Sequence, residues 1–191
     1  MAAIVSPQFV SPQPVDLAIV RKFLALTEGS FGVTDAQGNP LFRVKDRLLH
    51  IHDYRVILDV NENPVMTLRK KLMTMHSRWQ VFRGDSTEDK DLLFTVKETS
   101  MVQLKAKLDV FLAHNKDEKV CDYKVRGSFF ERSCMVYAGE TSNIVAQMHK
   151  KMTAESILLD KTRFNVTVYP NIDYAFITAI MVILDEINRD V

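Results

Sequence analysis

The sequence predicts a mainly β fold, a closed twelve-stranded antiparallel β-barrel around a central hydrophobic C-terminal α-helix, and three observations carry that prediction. From Tyr174 to Leu184 only Thr178 is polar, so a helix there has no face for water and must be buried. Between Asp16 and Pro170, short runs rich in β-branched and aromatic residues are separated by turn clusters every dozen or so residues, the pattern of an antiparallel barrel or sandwich. A barrel of about eight strands is filled by its own side chains and one of sixteen encloses a channel, so about twelve strands leave an intermediate lumen. A helix of ~10–12 Å diameter suits that space. An open sandwich with the helix on one face is the alternative.

Residues 1–15 read as a flexible Pro-containing tail and residues 16–191 as a single barrel domain. Pro7, Pro12 and Pro14 favour extended or irregular backbone, and Pro7 interrupts the apolar residues before a signal-peptide core can form. Ala2 stands where myristoylation requires glycine. The strand runs fall near 17–26, 30–35, 40–46, 54–59, 64–70, 77–83, 92–98, 105–113, 120–126, 133–138, 143–150 and 164–169. Two hairpins share one grammar: Asp35-Ala-Gln-Gly-Asn-Pro40 and Asp59-Val-Asn-Glu-Asn-Pro64 each open on an Asp that bonds its own backbone. In both, Asn tolerates left-handed geometry and Pro begins the next strand, where no ladder donor is needed.

The helix is expected over 172–188, capped by Asn171 or Asp173. Its apolar run, closed by Asp173 and by Asp185 and Glu186, falls short of the roughly 20 residues of a membrane span. No transmembrane segment is expected. The acidic residues at its end oppose the helix dipole, a choice that sequence alone does not explain.

Composition narrows function. With 25 basic and 24 acidic residues the net charge is +1, which argues against direct nucleic-acid binding or whole-protein attraction to anionic membranes, so any such binding needs a local patch. Cys121 and Cys134 are too few for a secreted disulfide framework and read as two reduced thiols in a cytoplasmic protein. No Gly-x-Ser-x-Gly, phosphate-cradling loop or dinucleotide fingerprint occurs, and the reading is of a non-enzyme without cofactor. His50, His52 and His76 lack a further ligand at suggestive spacing for zinc, so no metal site is assigned. Trp79, Phe82, Phe94, Phe129, Phe130 and Phe164 read as structural aromatics, with Trp79 and Val81 on one strand face and Gln80 and Phe82 on the other.

Arg69, Lys70 and Lys71 are the leading candidates for contacting an anionic head group, because phosphate recognition needs convergent Arg or Lys donors. Alternation sends Lys70 to the opposite face from Arg69 and Lys71, so only two can converge. Lys105 and Lys107 share a face at i,i+2, and His149-Lys150-Lys151 is a further basic spot. A solvated barrel exterior is the more common reason for such residues and accounts for all of them.

The stretches Asp35-Ala-Gln-Gly-Asn-Pro-Leu41, Leu68-Arg-Lys-Lys71, His76-Ser-Arg-Trp-Gln-Val-Phe-Arg-Gly84 and Asp173-Tyr-Ala-Phe-Ile-Thr-Ala-Ile-Met-Val-Ile-Leu-Asp-Glu-Ile187 together resemble the plant LURP-one-related family. The resemblance covers nearly the whole chain after the tail. It implies a barrel similar to the tubby C-terminal domain and to phospholipid scramblases, a link to plant defence, and no catalytic motif. Because tubby domains bind phosphoinositides, it also implies a membrane-tethered regulator, cytoplasmic and peripheral at the plasma membrane or nuclear. The alternative is a soluble protein-interaction or scaffold module with no lipid role; a scramblase-like activity ranks third.

Overall fold

The computed structural model describes residues 3–21, 31–46, 54–71, 77–99, 106–149 and 163–189. Twelve strands follow one another: β1 (Val15–Arg21), β2 (Phe31–Thr34), β3 (Pro40–Asp46), β4 (Tyr54–Leu58), β5 (Pro64–Lys70), β6 (Arg78–Arg83), β7 (Leu92–Glu98), β8 (Ala106–Leu112), β9 (Tyr123–Gly127), β10 (Met135–Ala138), β11 (Ile144–His149) and β12 (Arg163–Val168). Helix α1 (Tyr174–Arg189) completes the chain order. Every strand pairs antiparallel with its sequence neighbours, and β1 pairs with β12 from Val15↔Val168 to Val20↔Arg163. The barrel is closed, and the open sandwich is excluded.

Alternation decides what faces inward. Ile57 on β4, Met66 and Leu68 on β5, Trp79 and Val81 on β6, and Phe94 and Val96 on β7 all point to the axis and are at most 1% exposed. There they meet α1, whose residues Ala175 to Ile177 and Ala179 to Leu184 are completely buried. Phe176 stacks edge-on against Phe94 at 5.0 Å and lies 4.8 Å from Tyr123. Thr178, the one polar residue of the apolar run, donates its hydroxyl to the Tyr174 carbonyl at 2.8 Å and so enters the core satisfied.

Both expected hairpins form by the same bonds. Asp35 accepts from the Gln37 and Asn39 amides and from Asn39 Nδ2, as Asp59 does from Asn61, Asn63 and Asn63 Nδ2. The left-handed residue is not the Asn, however, but Gly38 (φ +88°) and Glu62 (φ 65°), since the Asn side chain is held by the Asp instead. Another boundary shifts: the run expected at 120–126 begins as a strand only at Tyr123, because Asn115 Nδ2 donates to the Val120 carbonyl and to Asp122 and keeps residues 113–122 a loop.

The reading of residues 1–15 as a flexible tail needs correction over its described part. Residues 4–11 form a strap across the barrel mouth where α1 begins. Val5 and Phe9 are buried, a 3-10 turn spans Pro7–Phe9, Val10 bridges Asp173, and the Phe9 ring packs against Phe42 and Tyr174 at 5.3 and 5.6 Å. Asp173 joins strap to helix. One carboxylate oxygen accepts the Val5 and Ser6 amides (2.7 and 3.2 Å) and the other caps α1 by accepting those of Ala175 and Phe176 (both 3.1 Å).

Asp173→Ala is therefore expected to cost ~2–4 kcal/mol, a lost N-cap plus buried amide donors left without acceptors, read by urea denaturation. Burial pushes the Asp173 carboxyl above its ordinary value, against the opposing pull of the four amides. A carboxyl raised on folding contributes stability that is full below its unfolded pKa and lost as pH rises through the folded one, so this residue does not drive acid denaturation.

Candidate anion-binding site

Strand direction gives the barrel two unlike ends. Odd-numbered strands run away from the strap and even-numbered strands return, so segments 35–39, 59–63, 84–91, 113–122, 139–143 and 169–173 all lie at the end where α1 starts. The opposite end, where α1 finishes, receives the last residues of β5 and the first of β8.

There the candidate cations separate. Arg69 faces outward and is committed: Nη2 donates to Gln80 Oε1 at 2.7 Å, and the guanidinium lies 4.7 Å above the Phe82 ring. It is the lid that keeps Phe82 fully buried on the outer wall. Lys70, half-buried, is on the inward face with Met66 and Leu68, and Lys71 is exposed just beyond the strand. Lys107, also exposed, is three strands from β5, roughly 14 Å around the wall at ~4.8 Å per strand, too far to share one phosphate with Lys71. Its register partner Arg126 is held by Asp109 at 2.7 Å. His149 Nε2 lies 2.9 Å from Thr167 Oγ1, which donates to Asp16. Lys105, Lys150, Lys151, His50, His52 and His76 lie outside the described residues.

Sequence reasoning missed a charge pair inside the barrel. Arg55, inward-facing on β4, donates Nε and Nη2 to the two Glu186 oxygens at 3.3 and 2.9 Å, with both residues buried. This pair accounts for Glu186 at the acidic end of α1. Two signals pointed to it: Arg55 alternates in phase with Ile57, and the carboxylates end a helix that is otherwise buried. On the outer wall, Glu118 bends back to pair with Arg78 at 2.6 Å and with Lys97. Burial raises the Glu118 carboxyl, but the two cations outweigh it and the net shift is downward. Its contribution is present above the ordinary glutamate range and lost as pH falls through the lowered value.

Neither thiol is a nucleophile near neutrality. Burial, with Glu140 accepting the Cys121 Sγ proton at 3.0 Å, pushes Cys121 up to about 12, and burial alone pushes Cys134 to about 12. Among the described residues no three His, Cys, Asp or Glu side chains converge as metal ligands, and no helix is long and apolar enough to cross a membrane.

What the geometry does show is a partition of charge. The six segments at the strap end hold Asp35, Asp59, Glu62, Asp85, Glu88, Asp89, Asp91, Asp117, Asp122, Glu140 and Asp173 against Lys90, Lys116 and Lys119, while the Glu118 carboxylate reaches away along the outer wall to Arg78 and Lys97. The other residues whose side chains are described comprise 13 basic and, with Glu118, seven acidic ones. Among the described residues the strap-end connections are therefore acidic and the remainder net basic, with Arg43 and Lys45 paired to Glu62 and Lys124 to Glu140 across that division.

A family model described as LURP-one-related matches residues 15–185. Protein LURP-one-related 15 of Arabidopsis thaliana is 59% identical over 187 residues, covering 98% of this chain and 86% of the relative, and LURP-one-related 10 of the same plant is 57% identical over 189 residues, covering 98% and 97%. The crystal structure of an Arabidopsis thaliana protein superposes with a TM-score of 0.78 at 49% identity, covering 98% of this chain and 99% of that one.

Proposed function

The chain belongs to the LURP-one-related family, and from that premise we propose that it is a non-enzymatic regulator in plant defence that binds phosphoinositide head groups at the cytoplasmic face of the plasma membrane. The axial charge partition is the observation that supports this most. The net charge of +1 speaks against electrostatic attraction only if the charge is spread evenly; with eleven carboxylates gathered in the strap-end segments, the other described residues carry a net positive charge that favours anions. Lys70 and Lys71, at the end of β5 remote from those segments, are the head-group contacts, and each basic residue near an anionic surface contributes ~1 kcal/mol. Neither is without interactions of its own, so an arriving phosphate shares them. Arg69 supports the wall and contributes less.

Flotation with vesicles tests the reading. The protein is expected to float with phosphatidylcholine vesicles containing a phosphatidylinositol phosphate and not with phosphatidylcholine alone, and Lys70→Glu/Lys71→Glu is expected to weaken binding more than tenfold. Binding to neither vesicle would favour the soluble interaction module instead.

A further inference from the structure

The end of the barrel opposite the strap carries one fully described strand connection, the β9–β10 hairpin from Ser128 to Cys134, and its construction is costly. Gly127 has φ +136°, and a Cβ there would lie 2.4 Å from the Ser133 carbonyl oxygen and 2.8 Å from Cys134 Cα, so the two strands pinch together at a point only glycine fits. Arg132 is left-handed at φ 54°. Ser128 closes the turn, its carbonyl accepting the Ser133 amide at 3.0 Å and its hydroxyl the Glu131 amide at 3.3 Å.

This rigid turn divides two adjacent phenylalanines. Phe129 is buried, packing 6.0 Å from Phe164, with the Arg132 guanidinium stacked 4.7 Å over its own ring and 5.2 Å over that of Phe164. Phe130, its ring 6.1 Å from Phe129, is 57% exposed. The exposure is imposed by a pinned backbone. The other large exposed apolar residues among those described, Val60 and Val120, sit in the acidic segments at the opposite end. Among the described residues Phe130 alone combines an exposed ring with the end opposite the acidic segments and a neighbouring arginine; Glu131 is the one acidic residue in the turn.

An aromatic ring held outward from a basic surface matches the interfacial layer of an anionic bilayer, where rings settle among head groups and cations meet phosphate. We propose that Phe130 is the point at which the barrel enters the head-group layer, so that the molecule docks with the end of α1 toward the membrane and the strap end toward the cytoplasm. The inference rests on the lipid reading above and adds to it an anchor and an orientation.

Tryptophan scanning tests it, since the native Trp79 is 1% exposed and serves as an internal reference. Phe130→Trp and Val60→Trp are mixed with phosphatidylcholine vesicles carrying brominated acyl chains and doped with phosphatidylserine or with a phosphatidylinositol phosphate. The expected result is quenching and a blue shift for Phe130→Trp, no change for Val60→Trp, and a roughly tenfold weaker partition for Phe130→Ser with an unchanged melting temperature. The two dopants separate general anionic attraction from phosphoinositide recognition. Flotation of the wild type with quenching at Val60→Trp, or at neither position, would overturn the anchor while leaving the lipid reading in place. Absence of wild-type flotation on every vesicle would overturn both.

Discussion

Replacing Ile180 by Asp is expected to abolish the folded barrel. Ile180 is fully buried in the middle of α1 with strands on every side. The substitution forfeits about 1.5–3 kcal/mol of apolar burial and places in the core a carboxyl with no partner, which costs several kcal/mol more even if it takes up a proton. Domains of ordinary stability have ~5–15 kcal/mol to lose. The expected readout is loss of the cooperative thermal transition by circular dichroism, with protein recovered mainly as aggregate; Ile183→Asp should behave alike. A variant that melted cooperatively within a few degrees of the parent would show that the helix is peripheral to the core.

The second large effect is expected at Arg55. Arg55→Met leaves Glu186 buried at the end of α1 without the guanidinium that satisfies both its oxygens, and breaking a buried pair from one side costs ~3–5 kcal/mol. Glu186→Met should cost a similar amount for the mirror reason. The double variant is expected to recover most of the loss, because apolar side chains of similar length need no counter-charge. A urea-denaturation cycle measures this. Strict additivity of the two single effects would mean that the pair does not act as a unit.

Much of the architecture was legible because it rests on periodicity. The all-apolar stretch of α1, the in-phase pair Trp79/Val81 and the twin Asp-to-Pro turns are local signals, and each became the element it announced. The tail was misread because its prolines outweighed the apolar Val5 and Phe9, whose partners Phe42, Tyr174 and Asp173 are distant in sequence. The candidate site was less legible. Arg69, Lys70 and Lys71 are contiguous in the chain, yet the pleat and the aromatic wall give them three different situations, and Lys107 belongs to another sector of the barrel. The charge partition could not be seen in a net charge of +1, because it emerges only when turns are assigned to ends. Phe130 was grouped with the structural aromatics, and only the hairpin geometry separates it from Phe129.

The order in which the ribosome delivers this chain sets how it can fold. The seam that closes the barrel joins Val15–Val20 to Arg163–Val168, and the helix that fills it comes later still, at Tyr174–Arg189. Through most of synthesis the nascent strands have neither the closing partner nor the core they wrap, and β1 presents an unpaired edge. Folding is therefore dominated by long-range contacts, which makes it slow. Until the seam closes and α1 is in place, the sheet's apolar inner face and the edge of β1 are open to other chains, so the unclosed barrel is the form most prone to aggregate.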